Sequence, residues 1–297
     1  MTPESPLPPS LPWRAALAAL ARLPQGLLSR IVGGIADVPL PRPLRRPVLA
    51  TFARIVGIDV GEAAQRLDDY PSVNAFFVRR LRPGARAFPD DPQVLASPVD
   101  GVVGQVGRVQ AGQAVQAKGR TYYVGDLLGD ESRAGRFEGG VFLTIYLSPR
   151  HYHRIHTPLP GVITSARHVP GRLFPVNRPA VQWVDELFVV NERLVAHLDS
   201  AAGPVAIVAV GAYNVGRISA SFDPAWAGTA GTSVTNRGTP PPSARTYDPP
   251  KAIGAGDEIM AFHLGSTVVL LTPPGFTLLD GIRPDTEVRA GQPLATA

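Results

Sequence analysis

Three histidines fall within six positions, His151-Tyr152-His153-Arg154-Ile155-His156, the densest run of proton-transfer side chains in the chain. In a strand, 151 and 153 share a face and 156 takes the other; in a helix or tight turn, 153 and 156 become neighbours. A metal site needs further histidines or carboxylates at suitable spacing, and this segment supplies none, so no metal is expected. A hydroxyl nucleophile is available at Ser266, in Phe262-His263-Leu264-Gly265-Ser266-Thr267. That context lacks the Gly-x-Ser-x-Gly form of a nucleophile elbow. A carboxylate is available at Asp100, in a Pro98-Val99-Asp100-Gly101 turn where Asp is favoured for its backbone chemistry alone. Hydroxyl, imidazole and carboxylate together can perform acyl transfer. One reading is therefore a hydrolase built from Ser266, His156 and Asp100 on an intact chain. Cysteine is absent, which excludes disulfides, thiolate metal sites and cysteine nucleophiles. The nicotinamide, flavin and phosphate-loop fingerprints are also missing.

The elements that must hold these residues differ between the two ends of the chain. Of 297 residues, 44% are hydrophobic and 18% charged, a globular composition. The 32 Pro and 30 Gly are spread throughout and predict many turns between short strands. Residues 1–60 carry Arg14, Arg22, Arg30, Arg42, Arg45, Arg46 and Arg54 against Glu4, Asp37 and Asp59. Three amphipathic patterns lie there: Trp13, Leu17 and Leu20; Leu27, Leu28, Ile31, Val32 and Ile35; and Val48, Leu49, Phe52, Ile55 and Val56. Pro24 and the stretch from Pro39 to Pro47 are expected to separate them. Such helices either cap a core or lie in a membrane interface with arginines at the head groups. No apolar run approaches bilayer-spanning length, and Arg14, Arg22 and Arg30 interrupt any secretory signal core. No nucleic-acid motif accompanies the net charge of +5, so no nucleic-acid partner is expected.

From about residue 94, β-rich runs alternate with Gly and Pro: 101–106, 140–147, 205–210 and 267–271. Residues 221–250, with prolines at 240–242, predict a long surface loop. The segments Ser97 to Val103 and Val288 to Ala295 are similar to the paired halves of barrel-sandwich hybrid domains. The expected fold is α+β: residues 1–65 as an amphipathic helical region that associates with a membrane, and residues 66–297 as a mainly β, barrel-sandwich-like catalytic domain. A lipoyl-type carrier on that scaffold would need a lysine at a hairpin tip. Lys118 and Lys251 are the only lysines, and neither stands in an Asp-Lys or Met-Lys turn.

Taken together, the motifs resemble those of the phosphatidylserine decarboxylase family. The run Tyr146-Leu147-Ser148-Pro149-Arg150-His151-Tyr152-His153-Arg154-Ile155-His156-Thr157-Pro158 looks like the family's histidine motif. Phe76-Phe77-Val78-Arg79, Pro98-Val99-Asp100-Gly101, Gln116-Ala117-Lys118-Gly119, Leu173-Phe174-Pro175-Val176-Asn177, Asn191-Glu192-Arg193 and Val210-Gly211-Ala212 also fit, in family order. Leu264-Gly265-Ser266-Thr267 resembles the self-cleavage site. Three positions depart from the pattern: His151 stands where an acidic residue is expected, Met260 where glycine is expected, and Ala255 in place of lysine before Gly256.

The resemblance implies a chemistry. Decarboxylating an amino acid needs an electron sink, which side chains lack and a carbonyl supplies. The family makes that carbonyl from its own chain. By resemblance, His156 acts as base toward the Ser266 hydroxyl, with Asp100 orienting the imidazole. The hydroxyl attacks the Gly265 carbonyl, elimination from the resulting ester leaves a dehydroalanine at position 266, and its hydrolysis, with loss of ammonia, gives a pyruvoyl cofactor there. Cleavage yields a β chain of residues 1–265 and an α chain of residues 266–297. His153 is expected to return the proton after CO2 leaves, and the product is phosphatidylethanolamine. The resemblance further implies phosphatidylserine in an anionic membrane as partner, and β and α chains that remain associated as a dimer of heterodimers. It also implies a peripheral location on the cytoplasmic face of the inner membrane. A pyruvoyl decarboxylase acting on a non-lipid amino acid shares the same residues, and the arginine-bearing front end favours the lipid.

Overall fold

The computed structural model describes residues 25–117, 119–213, 217–227, 244–263 and 266–297. The first amphipathic pattern (Trp13, Leu17, Leu20), Lys118, the prolines at 240–242, Leu264 and Gly265 lie outside the described residues.

Helices α1 (Gln25–Asp37) and α2 (Arg42–Val56) form the front end. The proline stretch does not keep α2 from starting early: the helix begins at Arg42, with Pro43 in its first turn and Pro47 inside it. Pro47 removes one i→i−4 bond, to the carbonyl of Pro43. Pro43 is exposed, so water can serve that carbonyl. Gly57 then stops the helix in the left-handed region, at φ 84°. Leu49 and Ala53 turn inward and join Ile58, Tyr70 and Phe76 in a small core, with α3 (Val73–Phe77) packed beneath. This core spans both sides of position 65. Each helix keeps apolar residues on its outer face. Leu27, Ile31 and Ile35 of α1 and Leu44, Val48 and Ile55 of α2 are exposed.

The rest of the described chain is β-rich. Its first half contains β1 (Val94–Ala96), β2 (Gly101–Arg108), the hairpin β3 (Gln113–Ala117) and β4 (Arg120–Tyr123), β5 (Val141–Leu147), β6 (Arg154–His156) and β7 (Gly161–Val169). After two short helices come β8 (Arg193–Ser200), β9 (Gly203–Val210), β10 (Ile218–Ala220), β11 (Ala244–Ile253) and β12 (Glu258–Phe262). The chain ends with β13 (Ser266–Leu271), β14 (Thr277–Leu278), β15 (Glu287–Val288) and β16 (Pro293–Thr296). Eight strands form one antiparallel sheet in the order β11-β7-β8-β9-β13-β5-β2-β15, and its two end strands do not close it into a barrel. Two three-stranded sheets, β1-β16-β14 and β10-β12-β6, pack around it. Alternation places Leu143, Ile145, Val268 and Leu270 in one core and Phe142, Val269 and Leu271 in the other.

Strand β13 is central, paired along its length with β5 and over 267–271 with β9. All six of its residues are buried. Full burial on both faces explains its continuous apolar run. The segments 97–103 and 288–295 meet: β2 pairs with β15 and Ser97 exchanges backbone hydrogen bonds with Gln292 and Gly291, while β1, just before the first segment, pairs with β16.

Candidate functional site

Ser266 opens β13 opposite Leu147 of β5 and is fully buried. Its Oγ has no hydrogen-bond partner. A buried hydroxyl left unpaired is costly, and sites of chemistry are one place where that cost is tolerated. Ser266 lines a cavity of about 390 Å3 whose other walls are largely apolar: Phe77, Tyr146 and Leu147 below, and Val32 of α1 with Phe52 and Val56 of α2 above. The amphipathic helices thus roof the cavity that contains the serine.

His153 is fully buried, its ring 4.1 Å from that of Phe77, a wall of the same cavity. Its Nδ1 lies 2.8 Å from the His151 carbonyl, which can only accept, so Nδ1 carries the proton. Nε2 is left bare and without a partner. Burial, with the nearby Arg79 charge adding to it, pushes its pKa down to about 3, so the ring is neutral.

His156 ends β6. Its Nδ1 donates to the Gly256 carbonyl at 2.7 Å, and its Nε2 accepts from the Tyr152 hydroxyl at 3.0 Å. Tyr152 also stacks on the ring, at 5.5 Å between centroids. Burial lowers the His156 pKa.

Asp100 is not hydrogen-bonded to this imidazole. Its Oδ1 accepts from Arg86 Nε at 2.8 Å and from the Ala290 amide at 2.8 Å, and its Oδ2 accepts from Arg86 Nη2 at 2.5 Å. The physical reason is competition. A two-pronged guanidinium satisfies a carboxylate better than one neutral N–H, and the Gly256 carbonyl already holds that N–H. The expected hydrogen-bonded chain Asp100–His156–Ser266 is therefore absent as such. Asp100 is bound by Arg86 and the Ala290 amide, His156 by the Gly256 carbonyl and Tyr152, and the Ser266 hydroxyl by neither of them.

Three groups escaped the sequence reading. Tyr152, four residues before His156, was visible within the histidine run but gave no sign of bonding Nε2. Arg86, which also holds Glu62 at 2.8 Å, sits in a Pro-Gly-Ala-Arg turn that carried no signal. The Gly256 carbonyl is backbone and invisible to motif reading.

A family model described as phosphatidylserine decarboxylase matches residues 73–296. The chain is 46% identical over 285 residues to the phosphatidylserine decarboxylase proenzyme of Anaeromyxobacter sp. (strain K), covering 96% of this chain and 99% of that protein. It is 41% identical to the protein of the same name from Myxococcus xanthus (strain DK1622), over 91% of this chain and 94% of that one. The Azotobacter vinelandii (strain DJ / ATCC BAA-1303) protein of that name is also 41% identical, over 93% of this chain and 95% of that one. With coverage this complete and motifs in order from Phe76 to Thr267, the chain belongs to the phosphatidylserine decarboxylase family.

Proposed function

We propose that this chain is the proenzyme of a decarboxylase that converts phosphatidylserine to phosphatidylethanolamine after cutting itself between Gly265 and Ser266. The observation that carries this reading is the buried, unpartnered Ser266 hydroxyl, at the head of a strand held by neighbours and on the wall of a lipid-compatible cavity.

The hydroxyl attacks the preceding carbonyl, the amide becomes an ester, and elimination separates residues 1–265 from residues 266–297. The shorter chain stays in place because β13 is bonded to β5 and β9 and buries Val268, Val269, Leu270 and Leu271. A buried Val or Leu contributes roughly 1.5–3 kcal/mol. The buried, unpaired Oγ on the cavity wall fits a pyruvoyl group at 266, which would supply the carbonyl that accepts the electrons released with CO2. His156, neutral and with Nε2 reachable once Tyr152 yields it, is the base for cleavage. Asp100 acts at a distance, as a charge held by Arg86 near the imidazole. His153 offers a bare Nε2 beside the cavity wall and is suited to relaying the proton back to the substrate carbon.

The substrate's acyl chains favour remaining in the bilayer by about 0.8 kcal/mol per CH2, so the site must come to the membrane. The exposed apolar faces of α1 and α2, flanked by exposed Arg30, Arg42, Arg46 and Arg54, suit an anionic interface. Among the described residues no helix is long and apolar enough to cross a membrane. Peripheral attachment at the cytoplasmic face, a membrane-associating region 1–65, a barrel-sandwich-like catalytic domain 66–297 and pairing of cleaved protomers complete the reading. The apolar roof favours a lipid over a soluble amino acid as substrate.

Intact-mass spectrometry tests it. The wild-type protein should give two chains, of 265 and 297 − 265 = 32 residues. Ser266→Ala should give one chain with no decarboxylation of phosphatidylserine vesicles. An active wild-type protein that remains whole would overturn it.

A further inference from the structure

A second cavity, of about 370 Å3, lies on the far side of the 147–153 loop and shares no lining residue with the Ser266 cavity. It is polar, and Arg79, Arg86, Arg150 and Arg289 line it together with Asp59, Glu62, Asp100 and Glu287. The carboxylates are already engaged. Arg86 spans Glu62 and Asp100, Arg150 holds Glu287 at 2.7 Å, Arg289 lies 3.6 Å from Glu62, and Asp59 accepts from the Gly61 amide at 2.7 Å.

Arg79 is the exception. It is 3% exposed, and its Nε and Nη1 have no hydrogen-bond partner. Its recorded compensation is the face of Phe76, 5.6 Å away. A guanidinium cannot shed its proton, so burial without an acceptor is expensive. His151 presents a similar group to the same cavity. Its Nδ1 accepts from the Ser148 amide at 3.0 Å, so the ring proton is on Nε2. That Nε2–H is buried and unpartnered, 3.6 Å from the nearest Glu287 oxygen. Three buried donors without acceptors thus line one polar cavity.

We propose that this cavity is a binding site for a singly charged phosphate group, held by Arg79 and His151. Phosphate offers several acceptor oxygens and the charge that a water molecule lacks. Four arginines against four carboxylates leave the cavity formally neutral, so a monoanion fits better than a dianion. A phosphodiester is always a monoanion near neutral pH, whereas inorganic phosphate is one only in part. The ligand is therefore either a phospholipid head group or free phosphate, with the former favoured on charge.

The test is thermal stability and calorimetric titration of the purified full chain with inorganic phosphate and, separately, with glycerophosphoglycerol, a diester without acyl chains. Sodium chloride holds ionic strength constant throughout. Saturable stabilisation beyond that of chloride is expected. A stronger response to the diester identifies the head group, and a response to inorganic phosphate alone identifies the free anion. Arg79→Met should weaken binding at least about tenfold, the loss expected for charge-assisted hydrogen bonds. Because that variant loses a buried side chain, His151→Asp provides the second arm. A carboxylate placed in the cavity should raise stability without phosphate and abolish the phosphate response. No effect beyond chloride in the wild type, or wild-type affinity in His151→Asp, overturns the proposal.

Discussion

The placement of Asp100 leads to a quantitative prediction. Arg86 is 8% exposed at its side chain and Asp100 10%, and two charge-assisted hydrogen bonds join them. Arg86 also holds Glu62, so Arg86→Met leaves buried Asp100 with only the Ala290 amide and Glu62 with only the more distant Arg289. Breaking a buried pair on one side costs about 3–5 kcal/mol. Asp100→Asn retains the acceptor to the Ala290 amide and should cost less. In a double-mutant cycle the two substitutions should couple by about 2–3 kcal/mol, the worth of hydrogen bonds to charged groups. A parallel cycle between Asp100→Asn and His156→Gln should couple by less than about 0.5 kcal/mol, because the Gly256 carbonyl and Tyr152, not Asp100, hold that ring. The assay is urea unfolding in a Ser266→Ala background, which keeps one chain in every sample. A 100–156 coupling larger than the 86–100 coupling would refute the placement of Asp100 and restore the hydrogen-bonded triad read from the motifs.

Other expectations follow from the same geometry. Burial pushes the His197 pKa from 6.5 to about 4. The unfolded chain therefore takes up a proton below pH 6.5 that the folded chain refuses until about pH 4, and stability falls as pH drops through that window. The slope is at most about 1.4 kcal/mol per pH unit, and His197→Phe should remove one proton's worth of it in pH-dependent denaturation curves. Ile35 and Ile55 are 69% and 79% exposed, so Ile35→Asp with Ile55→Asp should change folding stability by no more than about 0.5 kcal/mol each. Sedimentation with anionic liposomes should nevertheless show a clear loss of binding; unchanged binding would remove these helices as the anchor. Val32→Trp should fill the roof of the Ser266 cavity. Self-cleavage on gels should proceed, while KM for phosphatidylserine rises.

Much of the β architecture was readable from composition and pattern. The runs at 101–106, 140–147, 205–210 and 267–271 became β2, β5, β9 and β13, because turn residues bound them and, in β5, β9 and β13, apolar side chains fill both faces of a covered sheet. The amphipathic patterns at 27–35 and 48–56 became α1 and α2, since a periodicity of three to four residues survives wherever one face meets a core. Periodicity did not say which way each apolar residue points. Leu49 and Ala53 turned inward, while Ile31, Ile35 and Ile55 stayed exposed, because Tyr70 and Phe76, distant in sequence, decide where the core lies. Proline content also misled at 39–47, since α2 absorbs Pro47 where an exposed carbonyl can turn to water.

The identities of His153, His156, Asp100 and Ser266 are local facts, carried by short motifs whose residue types survive translation into one dimension. Their partners are not local. Arg86 reaches Asp100 across 14 positions and His156 meets the Gly256 carbonyl across 100. Hydrogen-bond choice depends on which groups arrive first in reach and which are already satisfied, and only the folded chain settles that. Residue chemistry was thus set by the sequence alone, while the pairing, the burial that keeps His153 neutral and the roof over Ser266 came from long-range packing.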